Sequence, residues 1–158
     1  MILRLSEILK YTLYETGHAR ISLEQEIGLL RDYTEMYRDR VDPVRADIRL
    51  NVEGDTGDLE IAPMLLIPFV ENSFKHGLQG ESGSAFVHVR LDVSGHTLTF
   101  STRNNRGETD RVVPETRQGI GIENTRQRLE LIYPGRHRLD IKANGDAFEV
   151  NLKIELKT

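Results

Sequence analysis

The chain has 158 residues, 38% of them apolar, with 21 basic against 25 acidic side chains and a formal charge of −4. That is enough for one domain with a full core, and scattered arginines in a net acidic chain give no argument for a nucleic acid partner. It contains no cysteine, which removes disulfides, thiolate metal sites and cysteine nucleophiles together and suits the cytoplasm, while no apolar run approaches the roughly 20 residues of a membrane-spanning helix and no stretch reads as a signal peptide.

Leu5, Ile8, Leu9 and Leu13 recur at helical spacing, and the pattern ends before Gly17. Ile2-Leu3-Arg4-Leu5-Ser6 reads as the inside of a helix with no cap ahead of it, so the chain is expected to begin partway through a larger protein. Ser22 is a good N-cap and Gln25 completes a capping box. From there Leu23, Ile27, Leu30, Tyr33, Met36 and Tyr37 form an apolar stripe on a helix predicted to run to about Arg40, stopped by Asp42-Pro43. These two helices either form a hairpin, or the first leaves the domain and pairs with another subunit. Residues 1–40 are thus read as a helical segment ahead of a domain over 41–158.

Ala46 to Val52 alternates as a strand, with Ile48, Leu50 and Val52 on one face, and residues 54–58 read as a turn. Pro63 is expected in the first turn of the next helix, which carries Glu71-Asn72-Ser73-Phe74-Lys75-His76-Gly77. A polar loop over 79–84 follows. Residues 86–91 and 98–102 read as a hairpin about Ser94-Gly95-His96. After a polar stretch over 106–118 comes a helix over 121–132, stopped by Pro134-Gly135. Residues 139–143 and 148–156 make a closing hairpin that turns at Asn144-Gly145. The expected architecture is α/β: a two-layer sandwich of a mixed, mostly antiparallel sheet with helices on one face.

Two segments carry chemistry. On a helix Glu71, Lys75 and Leu78 share one side, while Asn72 and His76 share another. Asn72 can give its amide oxygen to Mg²⁺, a hard cation that keeps several waters. Lys75 can act as a point charge on a phosphate, and Glu71 can orient or deprotonate a nearby group. An ordinary solvated Glu71–Lys75 pair, worth about 0.2–0.5 kcal/mol, explains the same residues. His76 either faces a phosphate or answers the negative end of the helix dipole. The other histidines, His18, His88, His96 and His137, have no metal-ligand spacing.

Gly119-x-Gly121 ahead of a helix leaves free backbone N–H groups that suit an anion, although a glycine-rich turn explains it equally well. It is neither a dinucleotide fingerprint nor a Walker loop. Asn124 either holds this turn or touches phosphate. Arg126 and Arg128 could reach the same anion or serve the surface.

Glu71-Asn72-Ser73-Phe74-Lys75-His76-Gly77 resembles the N-box of the Bergerat-fold (GHKL) ATPases, and specifically of sensor histidine kinases of the LytS/YehU type. Gly119-Ile120-Gly121-Ile122-Glu123-Asn124 is similar to their second glycine box, with Arg128-Leu129 and Tyr133 following as in that family. Leu5 to Tyr11 resembles the segment after the phosphoacceptor helix, and Ser22 to Glu26 with Tyr33 to Arg40 resembles the connection into the ATP-binding domain.

The resemblance implies the catalytic domain of a two-component kinase, with residues 1–40 as the end of its dimerisation helices and 41–158 binding Mg·ATP. By it, Asn72 holds Mg²⁺, Glu71 is general base or water organiser, and Lys75 and His76 lie at the phosphates. Asn104, Gly107, Gly119, Ile120, Gly121, Ile122 and Asn124 complete the nucleotide site. Asn104 stands where the family's first glycine box has an aspartate that accepts a hydrogen bond from the adenine amino group, and Arg106 replaces the first glycine of that box. A neutral acceptor contributes about 0.5–1.5 kcal/mol against about 1.5–3 for a charged one, so about tenfold weaker adenine binding is expected.

No Asn-Pro-His-Phe type segment occurs in the chain, so the acceptor histidine is expected upstream and this chain alone should bind ATP without labelling itself. The partners implied are that acceptor helix, a response regulator and a second copy in the full-length protein, with no nucleic acid. The domain is expected in the cytoplasm, without membrane contact of its own, in a protein anchored in the membrane. Two other readings remain open: a non-catalytic nucleotide-binding regulatory module, and a helix-mediated interaction domain with an empty pocket.

Overall fold

The computed structural model describes residues 20–78, 85–106 and 120–158, and not the side chains of Ile120 and Asn144. The helix expected over Leu5–Leu13, the loop over 79–84 and the stretch 107–119, with Gly107 and Gly119, lie outside the described residues.

The described chain begins with a two-residue strand, β1 (Ile21–Ser22), running straight into helix α1 (Leu23–Arg38). The capping box is present: the Gln25 N–H donates to Ser22 Oγ and the Ser22 N–H to Gln25 Oε1, each at 3.1 Å. Strand β2 (Ala46–Gly54) follows, then a second short strand, β3 (Glu60–Ile61), antiparallel to β1 with Ile21 opposite Ile61. Neither two-residue strand was expected, because two residues carry no readable period.

Helix α2 (Ile67–Gly77) comes next, with Pro68 in its first turn. Pro63 is not in that helix: it lies in the turn before it, and Pro68 is the proline whose missing N–H suits a helix start. The remaining elements are β4 (Ala85–Ser94), β5 (Thr97–Asn105), α3 (Ile120–Ile132), β6 (His137–Asn144) and β7 (Ala147–Glu155). The large sheet has the order β2-β4-β5-β7-β6, parallel between β2 and β4 and antiparallel elsewhere. A parallel pair needs a crossover, and α2 lies within it.

One face of this sheet carries the helices. Val87, Val89, Leu91, Leu98, Phe100, Val150, Leu152 and Ile154 from the strands share a core with Phe69, Val70 and Phe74 of α2 and Ile122 and Leu129 of α3. Ile21, Leu23, Ile27, Leu29 and Leu30 join the same core. The other face is polar, with Asp47 on His88 at 3.0 Å, Arg90 on Glu53 at 3.4 Å and Arg103 on Glu149 at 2.9 Å. The hydrogen bond from His88, then that from Arg49, holds the Asp47 carboxyl below its usual range.

Tyr133, at the end of α3, shows how the layers are tied. Its ring is buried, and its hydroxyl oxygen accepts the Ala62 N–H at 2.9 Å. Burial raises the pKa of this hydroxyl. Tyr133→Phe leaves that N–H buried without an acceptor, a cost of about 1–3 kcal/mol. The expected thermal melt falls by about 2–12 °C at this size.

Candidate functional site

Helices α2 and α3 lie side by side on the sheet, and both chemistry-bearing segments are on them. Where they meet, a Cβ on Gly121 would lie in ordinary contact, 3.9 Å, with Pro68 Cβ of α2. The two segments therefore share one side of the sheet.

Along α2 the side chains divide by face. Ser73, Phe74 and Gly77 are buried, Asn72 and His76 are half-buried, and Glu71 and Lys75 are exposed. Glu71 and Lys75 form no ion pair with each other or with another described residue, and the Asn72 amide makes no hydrogen bond to one. His76 has an interaction partner of its own.

Behind Glu71 lies an aromatic cluster. Tyr37 of α1 stacks on Phe74 with centroids 4.2 Å apart and planes 3° from parallel, and Tyr33 tilts against Tyr37 at 5.3 Å. Burial, and then the hydrogen bond with Tyr37, holds the Tyr33 hydroxyl far above the usual phenol range, with the charge of Glu71 pushing the same way.

Beneath the last turn of α2 the helix meets β4 and β5 with nothing between them. A Cβ on Gly77 would lie 2.8 Å from Val87 Cγ2, 3.0 Å from Asn104 Cβ and 3.2 Å from the Phe86 carbonyl oxygen. Asn104 is 0% exposed. Its Nδ2 donates to the Asn105 carbonyl at 2.9 Å, while its Oδ1 is buried with no hydrogen-bond partner among the described residues. Because the amide N–H₂ must face a carbonyl, the oxygen is the free end. Ser73 Oγ and Thr102 Oγ1 are buried and unpartnered as well, on the two elements that meet here. Such atoms are rare in folded chains and each calls for a partner.

The second segment is only partly in view. Ile120 starts α3, Gly121 is exposed, Ile122 is a core side chain, and Asn124 points to solvent. Thr125 Oγ1 donates back to the Gly121 carbonyl at 2.8 Å within this first turn. The Arg128 guanidinium donates to the carbonyls of Pro63 at 2.9 Å and Met64 at 3.5 Å. His88, His96 and His137 are ordinary, held at the Asp47 carboxylate and the carbonyls of Leu156 and Tyr133. Sequence reasoning missed Glu26, which is 0% exposed and bonds the turn before α2. An acid one residue from Ile27, inside an apolar stripe, was the available signal.

Among the described residues no three His, Asp or Glu side chains gather as metal ligands. A divalent ion here would be held by Asn72 with water and phosphate oxygens, which suits Mg²⁺. The unpartnered Asn104 oxygen suits an amino-group donor, and the exposed Gly121 backbone at the start of α3 suits an anion.

No protein-family model matches the chain. The sensor histidine kinase/phosphatase LytS of Staphylococcus aureus is 29% identical over 145 residues, which cover 84% of this chain and 24% of that protein. The chain thus spans about a quarter of the length of the curated relatives it matches. Among solved structures, the catalytic domain of histidine kinase ThkA superposes with a TM-score of 0.56 at 14% identity, covering 86% of this chain and 93% of that one. Histidine kinase ThkA in complex with response regulator protein TrrA matches at a TM-score of 0.56 and 15% identity, covering 99% of this chain and 48% of that one. Acinetobacter baumannii histidine kinase AdeS gives 0.60 at 9% identity, covering 99% and 77%. The chain has the two-layer α/β GHKL fold of histidine-kinase catalytic domains.

Proposed function

We propose that this chain is the ATP-binding catalytic domain of a two-component sensor histidine kinase of the LytS/YehU type. The observation that carries this reading is the buried, unpartnered Oδ1 of Asn104 under Gly77, on a fold shared with histidine-kinase catalytic domains. An acceptor fixed in that orientation fits the exocyclic amino group of adenine. It is shut off from solvent, so a base reaches it only as the covering atoms shift. Residues 41–158 are proposed as the catalytic domain, with α1 packed into its core, and the residues ahead of Arg20, outside the described residues, as part of the dimerisation segment of the intact protein.

Asn72 would hold Mg²⁺, which when bound draws the phosphate oxygens together and offsets their charge. Lys75 adds a positive charge beside them. Gly121 lets the start of α3 approach without a side chain in the way. The histidine acceptor, supplied from upstream, attacks the γ-phosphorus; an N–P bond forms, the bond to the β–γ bridging oxygen breaks, and ADP leaves. Glu71 orients the attacking imidazole or takes its proton, which its exposed position on α2 permits. The phosphoryl group then passes to an aspartate of a response regulator. The intact protein is proposed to be a membrane-anchored homodimer with this domain in the cytoplasm; no described helix is long and apolar enough to cross a membrane.

Titration calorimetry with Mg·ATP tests the reading. Binding is expected, and no heat up to millimolar nucleotide ends it. Asn72→Ala should weaken binding about tenfold with Mg²⁺ present, a loss of about 1.4 kcal/mol, and change little when the metal is chelated. Equal loss with and without metal removes Asn72 from the ion's shell. Joining the upstream acceptor segment and following label from γ-labelled ATP separates a kinase from a regulatory nucleotide-binding module.

A further inference from the structure

We propose that Glu26 and Arg128 are positioning residues of the nucleotide pocket: from opposite sides they pin the turn at Met64 and so fix where α2 starts relative to α3. This rests on the ATP reading of the same site.

Met64 is the one non-glycine among the described residues with a positive φ, at 56°, a conformation that L-residues other than asparagine and aspartate seldom hold unsupported. It sits three residues before α2. That helix starts without help from its own sequence: its N-cap is Leu66, with no side-chain cap bond, and its first turn has no acid. The missing acceptor comes from another helix. Glu26 of α1, fully buried, accepts the Met64 N–H at 3.0 Å on Oε2 and the Leu66 N–H at 3.2 Å on Oε1. A carboxylate is expensive to bury unless such bonds are made, and placed here it also answers the positive end of the α2 dipole.

Arg128 holds the turn from α3 through the carbonyls of Pro63 and Met64, and Tyr133 takes the Ala62 N–H. Ala62, Pro63, Met64 and Leu66 are therefore bound by side chains of α1, α3 and the residue that follows α3. Asn72 lies about one and a half helical turns beyond this joint, and Gly121 about two turns before Arg128 on α3. The clamp holds one end of the α2–α3 contact, and Gly121 meets Pro68 further along it. A shift of α2 along its axis changes the distance between the Asn72 amide and the start of α3.

The test measures Mg·ATP affinity and thermal midpoint for the whole 158-residue chain, with Glu26→Gln, Arg128→Lys and both together. Glu26→Gln puts an amide N–H₂ against one of two N–H donors; Arg128→Lys loses the fork that spans two carbonyls. Each is expected to weaken Mg·ATP about five- to tenfold at a temperature where the variant is fully folded. The double variant should be little worse than the weaker single, since both act on one turn. Met64→Gly, which takes a positive φ without support, should return most of the affinity lost in Glu26→Gln.

Unchanged affinity in both single variants, with only the midpoint lowered, overturns the proposal and leaves a purely stabilising network. If Glu26→Gln does not fold, Arg128→Lys decides alone by the same criterion. No Mg·ATP binding by the unaltered chain is a different failure: it removes the ATP reading, and this inference with it.

Discussion

Asn104→Asp should unfold at a markedly lower temperature than the unaltered chain at pH 7, and at nearly the same temperature at pH 3. The change restores the acid that the resemblance implies at this position, yet the structure argues that it costs stability when no nucleotide is bound. Asn104 is fully buried, its Nδ2 donates to the Asn105 carbonyl, and its Oδ1 has no partner. A carboxylate there loses the one donor, faces a carbonyl with an oxygen, and finds nothing to offset its charge. Its folded pKa therefore rises above the unfolded value of about 3.9, as for any acid that burial keeps neutral. The protonated acid can donate to the Asn105 carbonyl in place of the amide, so little is lost below pH 3.9. Above it the unfolded chain releases its proton while the folded chain keeps it, at about 1.36 kcal/mol per pH unit, which limits the loss at pH 7 to about 4 kcal/mol. For a chain of this size that is about 8–16 °C. Thermal melts of both proteins at pH 3, 5 and 7 check it, and a constant difference across that range would show the acid ionised and paired. Saturating Mg·ATP should return part of the loss at pH 7, because the adenine amino group supplies the absent donor.

Gly77→Ala is expected to lower the melting temperature and to weaken Mg·ATP binding in one step. The added methyl group would sit under 3.0 Å from Val87 Cγ2 and at 3.0 Å from Asn104 Cβ, with a backbone oxygen at 3.2 Å. None of these is the free end of a long side chain, so α2 must lift from β4 and β5. Overpacking of this kind costs about 1–3 kcal/mol, while alanine's better helix propensity returns up to about 1. The net cost is at most about 3 kcal/mol, a fall of up to about 12 °C. The lift carries Asn72 away from the phosphates and opens the floor around Asn104, so affinity should drop about tenfold or more. A variant as stable as its parent, with unchanged affinity, would show that the helix end is looser than this contact requires.

What could be read from the sequence was what repeats. Both hairpins, the capping box at Ser22 and the extents of α1 and α3 follow from period, cap and turn residues, each a local signal. The mixed sheet followed from the order of these elements, and the likeness to histidine-kinase folds bears out the architecture. The start of α2 was placed too early because Pro63 and Pro68 both suit a first turn, and only the turn at Met64 between them decides. That turn has no local code. It is held by Glu26, 38 residues earlier, and by Arg128, 64 residues later, and neither pairing has a spacing that the chain displays. The burial of Asn104 was equally hidden, since an asparagine near a strand end usually marks a turn.

The charged side chains along the two outermost strands have a consequence for self-association. β2 and β6 border the large sheet, and a border strand offers unpaired peptide groups to any similar strand in solution. β2 carries Asp47, Arg49 and Glu53, and β6 carries Arg138, Asp140 and Lys142. Stacking a second sheet against either border would bring these charges together and strip their water. Edge-to-edge growth into fibres is thereby discouraged at both ends, and on β2 the Arg38 guanidinium of α1 also occupies the Ile48 carbonyl at 3.0 Å.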